Sequence, residues 1–196
     1  MKNKNTDAFL RLAKKLKNPK KVQDFLKTFK YNKKDTLRSA YECLKSKEAH
    51  CMEAAMLAAA ILEPLGYPTL IISFESIDGL DHVIFVFKEK GKWGSIGRSR
   101  DQGLHGRAPK FSSIKSLALS YYDPYVDNTG KITAYQLANL DETKTDWRFS
   151  KKNVWKAERY LLELKHIKIK SSALKYKKLK DNYLKNGPLI TGKNWW

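Results

Sequence analysis

The spacing of apolar positions changes along the chain, and each change marks a change of element. In "TDAFLRLAKKLK" (residues 6–17), Phe9, Leu12, Ala13 and Leu16 recur at helical intervals. "NPKKVQDFLKTFKYN" offers Asn18 as an N-cap and Pro19 in the first turn, followed by a stripe of Val22, Phe25, Leu26 and Phe29. A third helix is predicted in "KKDTLRSAYECLKSK", with Leu37, Ala40, Tyr41 and Leu44 on one face, Asp35 or Thr36 as its cap and Cys43 near its end. The fourth, about Cys51 to Leu65, is apolar almost all round from Met52 to Leu62. A helix without a polar face is a buried one. Its alanines let neighbouring backbones approach, and Gly66 ends it where a left-handed residue is wanted.

After Pro68 the spacing turns β-rich. "TLIISFE" (69–75), "HVIFVFK" (82–88) and "KWGSIG" (92–97) predict an antiparallel meander, with turns at "IDGLD" and "KEKG". A hairpin turning on Lys88 to Gly91 pairs Phe87 with Lys92, which sets Ile84 opposite Ser95 and His82 opposite Gly97. Residues 98–111 have no periodicity and read as an irregular loop. "SSIKSLALSYYDPY" predicts a helix with Ile114, Leu117, Ala118 and Tyr121 aligned, stopped by Pro124, and residues 130–140 predict a last strand. Two Lys-rich helices follow Ser150, with apolar stripes of Val154, Ala157, Leu161 and Leu164 and of Tyr176, Leu179 and Tyr183. The expected architecture is one α+β domain over residues 1–196, in which a central helix opening on Cys51 packs on an antiparallel sheet. Its core covers about 36–140, with N-terminal helices in 1–35 and basic helices in 150–196.

Composition adds little to that fold but bounds the function. At 196 residues and 42% hydrophobic content the chain can build a core. Its longest apolar stretch, around Ala54 to Leu62, is far short of the roughly 20 residues a membrane span needs. The N-terminus lacks a signal-type apolar run, so a soluble, cytoplasmic chain without a membrane partner is expected. Two cysteines, Cys43 and Cys51, are too few for a disulfide scaffold and fit a reducing compartment.

The net charge of +19 invites a polyanion reading. Among the C-terminal lysines, Trp147, Trp155, Tyr160, Tyr176, Tyr183, Trp195 and Trp196 could act as base-stacking platforms. The distribution argues otherwise: residues 1–50 and 151–196 carry +10 each, 91–150 carry +3, and 51–90 carry −4. Nucleic-acid or other polyanion contact through the Lys-rich termini is therefore the lesser reading, beside solvated helix faces.

Candidate chemistry centres on Cys51 and His82. A thiol at a helix N-terminus sits where partial positive charge favours the thiolate, and a neighbouring imidazole can take its proton. The same helix end presents free N–H groups able to bind an oxyanion. Each residue alone reads as a packed core thiol or a satisfied strand histidine; their conjunction is what suggests a nucleophile and its base.

At these residues the sequence resembles the transglutaminase-like superfamily, in "HCMEAAMLAAAILEPLGYPTLIISF", "DHVIFVF" and "GKWGSIG", over about residues 43–100. Cys51, the turn from Leu65 to Pro68, His82 and Trp93 fit the places of that family's pattern. The resemblance implies a papain-like core and a thiol-dependent acyltransferase or cysteine peptidase acting on a protein or peptide amide, with catalytic Cys51 and His82 and no cofactor. The family's third member, an Asp, would fall near Gly97, where this sequence has no carboxylate. Asp101, Ser95, Ser99, Asp81 and Asp123 are the substitutes the sequence offers, together with a backbone carbonyl. Loss of that acid leaves a catalytically inactive binding module as the alternative.

Cys43, His50, Cys51 and His82 are all zinc-ligand types, but their spacing is not that of a zinc knuckle. "GRSRDQGLHGR", with Arg98, Arg100, His105 and Arg107, has a composition able to bind an anion, or is an ordinary exposed loop.

Overall fold

The apolar runs after Pro68 lack the in–out alternation of a sheet with one wet face because both faces of this sheet are covered. A computed structural model describes residues 4–79, 81–190 and 196, and the chain is α+β. Helices α1 (Lys4–Leu16) and α2 (Pro19–Lys27) precede strand β1 (Lys30–Tyr31), helix α3 (Ala40–Ser46), strand β2 (Glu48–Ala49) and helix α4 (Cys51–Leu62). Strands β3 (Leu70–Ser76), β4 (His82–Glu89), β5 (Lys92–Ile96) and β6 (Arg107–Phe111) follow, then helices α5 (Ile114–Leu119) and α6 (Tyr122–Tyr125) and strand β7 (Ile132–Asn139). Helix α7 (Trp155–Glu163), strand β8 (Ile167–Lys168) and helix α8 (Ala173–Asn186) complete it. The main sheet has the order β6-β5-β4-β3-β7-β8, antiparallel throughout, while β1 and β2 form a separate parallel pair.

Alternation along β4 sends Val83, Phe85 and Phe87 to one face and Ile84 and Val86 to the other. The first face packs on α4, which is flanked by α1, α2 and α3, with Ala157 and Leu161 of α7 joining the same core. The second is covered by Leu117, Tyr121, Tyr122 and Tyr125 from the α5–α6 region, with Tyr176 and Leu179 of α8 alongside. From Met52 to Leu62 every residue of α4 is buried, as its lack of a polar face predicts. Met56, Leu57, Ile61 and Leu62 each contribute roughly 1.5–3 kcal/mol by that burial.

Asn18 caps α2 as expected, its side chain accepting from the Lys21 N–H at 3.0 Å. Other expectations need correction. Helix α3 is capped by Ser39, not Asp35 or Thr36, because residues 32–38 are drawn onto Glu53. Helix α4 gives way at Glu63–Leu65 to a 3-10 turn, since Pro64 has no N–H with which to continue the i→i−4 ladder; Gly66 then turns at φ +86°. The β4–β5 hairpin turns on Lys90 and Gly91 alone, both at positive φ, and pairs Glu89 with Lys92 and Phe87 with Gly94. The expected register was thus two residues out. Arg107–Phe111, expected as loop, forms β6, and Pro124 lies within α6 instead of ending the preceding helix.

Most of the described C-terminal aromatics pack on the two cores, Tyr183 belonging to neither. Trp147 is fully buried, Trp155 and Tyr160 pack on the first core, and Trp196 stacks on Phe87 with ring centroids 5.6 Å apart. Trp195 lies outside the described residues. No helix among the described residues is long and apolar enough to cross a membrane.

Lys90 holds φ +47° at a turn position that Asn adopts more readily. Lys90→Asn is expected to stabilise the protein by about 0.5–1 kcal/mol, read as a higher urea midpoint with an unchanged slope.

Candidate active site

The tip of α4 is organised by one buried carboxylate. Glu53, in the first turn of an otherwise apolar helix, is fully buried. Its oxygens accept from Asn32 Nδ2 at 3.0 Å, Thr36 Oγ1 at 3.2 Å, the Arg38 N–H at 2.8 Å and the Arg38 guanidinium at 3.0 and 3.1 Å. It also accepts from the N–H of His50, the N-cap residue, at 3.1 Å. Burial alone would raise this carboxyl, but Arg38, His50 and Asn32 together hold it below its ordinary value. The segment 32–38 and the N-terminus of α4 are thereby tied to one point.

Cys51 is the first residue of α4, half-buried, with its thiol 3.9 Å from the Asp81 carbonyl and lining one cleft with the imidazoles of His50 and His82. His50 Nε2 lies 2.8 Å from the Thr36 carbonyl, and His82 Nε2 lies 3.0 Å from the Leu104 carbonyl. A carbonyl has no proton to give, so Nε2 carries one in both rings and Nδ1 is left for the sulfur. His82 is the first residue of β4, and its ring is packed between Phe74 and Tyr121 at centroid distances of 6.1 and 5.9 Å.

Burial on its own would raise the Cys51 thiol; the hydrogen bonds and charge of the two imidazoles outweigh it and bring the thiol down to about 5. Burial likewise works against a charged His50, but Cys51, Glu53 and the Thr36 carbonyl lift it to about 9. A thiolate paired with an imidazolium at neutral pH is the state these shifts describe.

The structure thus brings Cys51 and His82 together and adds His50, which the sequence offered only as a zinc-ligand type. Glu53 went unnoticed, although a lone acid at the third position of an apolar helix, after an N-cap residue, is a readable capping signal. None of the side chains offered as a third member meets the distal nitrogen of His82. Ser95 Oγ is engaged by Tyr121 at 2.7 Å and by the Arg107 N–H at 3.0 Å, and Ser99 Oγ accepts from the Asp101 N–H at 3.3 Å. The Asp81 carboxylate accepts from the Ser76 N–H at 3.2 Å, and Asp123 pairs with Lys175 at 2.6 Å. Asp101 lines the cleft without meeting that nitrogen, whose partner is the Leu104 carbonyl.

Cys43 stands apart from the zinc-type set. It is buried on α3, donating towards the Arg38 carbonyl at 3.7 Å, and burial pushes its thiol up. Among the described residues no group of three or more His, Cys, Asp or Glu is arranged to hold a metal ion. In the 98–107 loop, Arg98 donates to the carbonyls of Ser99 at 2.6 Å and Phe29 at 3.1 Å, and Arg107 to those of Gly103 and His105. Those two cations hold the backbone, so of the loop's arginines Arg100 is the exposed one.

The thiol opens into a cleft of about 510 Å³. Asp78, Asp81, Asp101, Asp127 and Glu158 line it, with Arg100 as a counter-charge, and Tyr31 is part of the same wall. The Tyr31 phenol is pushed up to about 12 by burial and by the charge of Cys51, so it remains a proton-bearing donor.

No family model and no curated protein matches this sequence. Two solved structures of Legionella pneumophila LapG, the second EGTA-treated, are similar to it at TM-scores of 0.43 and 0.42 and identities of 16% and 15%. Each comparison covers 74% of this chain and 84% of the other. A likeness that distant carries no weight on activity, which rests on the side chains above.

Removing Glu53 would strand several buried donors, Arg38 among them, so Glu53→Ala is expected to lower unfolding free energy by about 3–5 kcal/mol in urea titration. Alkylation of Cys51 by iodoacetamide follows the thiolate, so its rate is expected to rise with pH through about 5 and to be level across neutrality, with Cys43 unlabelled in the folded protein. His50→Asn and His82→Asn each remove a stabilising partner and are expected to move that inflection upward.

Proposed function

We propose that this chain performs thiol-dependent acyl transfer or amide hydrolysis at the tip of α4. The observation that carries the reading is a half-buried thiol at a helix N-terminus that shares its cleft with the imidazoles of His50 and His82, which bring it down to about 5. The resemblance of residues 43–100 to the transglutaminase-like superfamily agrees with it.

In the proposed cycle the Cys51 thiolate attacks an amide carbonyl carbon, a C–S bond forms, and the carbonyl π pair moves onto oxygen. First-turn N–H groups of α4, which have no acceptor within the helix, and the Tyr31 phenol, which lines the same cleft, are the donors proposed for that oxyanion. Collapse breaks the C–N bond, and His82, which took the Cys51 thiol proton on Nδ1 when the thiolate formed, gives that proton to the departing amine. Water or a primary amine then attacks the thioester, returning a proton to His82 as the C–S bond breaks and the thiolate is restored. His50, held between the thiolate and Thr36, keeps its charge and stabilises the resting ion pair.

The proposed substrate is a protein or peptide amide. The carboxylates of the cleft wall favour one with positive charge beside the scissile bond.

Treatment with an activated acyl ester is expected to leave a single acyl group on Cys51 in the wild-type protein and none in Cys51→Ala, read by intact-mass and peptide mass spectrometry. His82→Asn should lower turnover roughly 10²–10⁴-fold. Peptide amides flanked by Lys or Arg should show a kcat/KM at least about ten-fold above Glu-flanked counterparts, a difference that salt reduces. A Cys51 that is alkylated at neutral pH but is never acylated would sink the enzymatic reading in favour of a binding module on the same cleft.

A further inference from the structure

The space that a carboxylate at residue 97 would need is already filled. A Cβ on Gly97 would stand 3.2 Å from the Leu104 carbonyl oxygen and 3.0 Å from Ile84 Cγ2. That same carbonyl oxygen receives His82 Nε2 at 3.0 Å. The loop between β5 and β6 therefore folds a main-chain acceptor into the place where the side chain of residue 97 would enter.

Such a loop needs something to hold it, because a carbonyl on a mobile segment cannot fix a ring. Gln23, on α2, supplies the hold from an unexpected direction. It is fully buried. Its Nε2 donates to the Gly97 carbonyl at 3.0 Å, and its Oε1 accepts from the N–H groups of Gly97 at 3.0 Å and Gly106 at 3.1 Å. One amide thus pins both ends of the loop. A Cβ on Gly106 would fall 2.2 Å from Gln23 Oε1 and 2.3 Å from the Ser95 carbonyl, so only glycine allows this approach. Inside the loop the buried Arg107 guanidinium, lying over the Tyr121 ring at 4.1 Å, gathers the carbonyls of Gly103 at 2.7 Å and His105 at 2.6 Å. The Leu104 carbonyl, between those two, is left for His82.

We infer that Gln23 is a positioning residue for His82: by pinning Gly97 and Gly106 it sets the Leu104 carbonyl that keeps the imidazole in its Nε2–H tautomer, Nδ1 towards Cys51. The inference rests on the proposed role of His82 as the proton-transfer partner of Cys51. Orientation by a carbonyl has a chemical consequence. It selects the tautomer as an acid would, but, carrying no full charge, it supports the imidazolium less.

The test uses the full chain in wild-type, Gln23→Leu, Gln23→Glu and Gly97→Ala forms, with ¹⁵N-histidine NMR and iodoacetamide alkylation of Cys51 as readouts. Gln23→Leu keeps the volume and removes all three hydrogen bonds. It is expected to turn the single tautomer that His82 shows when deprotonated into a mixture and to slow alkylation at pH 6 roughly 10- to 100-fold. Gln23→Glu retains the two acceptor contacts, so its effects should lie between wild type and Gln23→Leu. If Gln23→Leu does not fold, Gly97→Ala leaves Gln23 in place and displaces the Leu104 carbonyl by a few tenths of an ångström, and must shift the His82 signals in the same direction. A folded Gln23→Leu, or a folded Gly97→Ala, with wild-type His82 tautomer and wild-type alkylation overturns the inference. The underlying reading fails separately: wild-type alkylation that does not change in His82→Asn removes it whatever Gln23 does.

Discussion

A helix apolar on every side is stable in water only when every side is covered, and the arrangement of this chain follows from meeting that requirement for α4. The first sheet face covers one flank, α1, α2 and α3 cover others, and Ala157 and Leu161 of α7 close the same core. Its alanines, from Ala54 to Ala60, permit those neighbours to come close. Only the first residue, Cys51, is spared complete burial. The burial of α4 therefore presents its tip, with its unpaired N–H groups and its partial positive charge, at the floor of the cleft.

The tip carries two kinds of electrostatic work that are kept apart in space. Glu53, buried and satisfied by Asn32, Thr36, Arg38 and the His50 N–H, ties down the backbone. The imidazoles of His50 and His82 act on the sulfur. Each ring has its far nitrogen on a main-chain carbonyl, so neither is free to turn away. The cleft beyond them is acidic although the chain as a whole is strongly basic. Net charge is a sum over the surface, and here the lysines lie on the exposed sides of the flanking helices, as in α8, which has no buried residue.

Much of the fold was legible before any coordinates. Asn18 with Pro19 marks the start of α2, the all-apolar run after Cys51 marks the buried helix, and Gly66 marks the end of the 3-10 turn that follows it, because each depends on a local backbone requirement. The hairpin register was not. "KEKG" admits a four-residue or a two-residue turn, and the choice was made by pairing along the rest of β4 and β5, where Phe85 meets Ile96 and Val86 meets Ser95. Strand β6 was illegible for a related reason: Arg107 and Pro109 give it no apolar period, and it exists because Ser95 and Gln23 receive the N–H groups of Arg107 and Gly106.

The same division runs through the site. By itself the sequence determined that a thiol begins the central helix, that a histidine opens a strand close by in the chain, and that no carboxylate stands near Gly97, since these are matters of residue type and local period. It also contained His50 and Glu53 in plain view, one residue before and two after the thiol. What only the tertiary structure decided is which groups converge on Cys51 and what holds them: the second imidazole on sulfur, the Leu104 carbonyl on His82, and Gln23 clamping the loop from 74 residues earlier in the chain. Hydrogen bonds between distant segments leave no periodic trace, because a single buried polar side chain is placed by the packing around it and not by its neighbours in sequence.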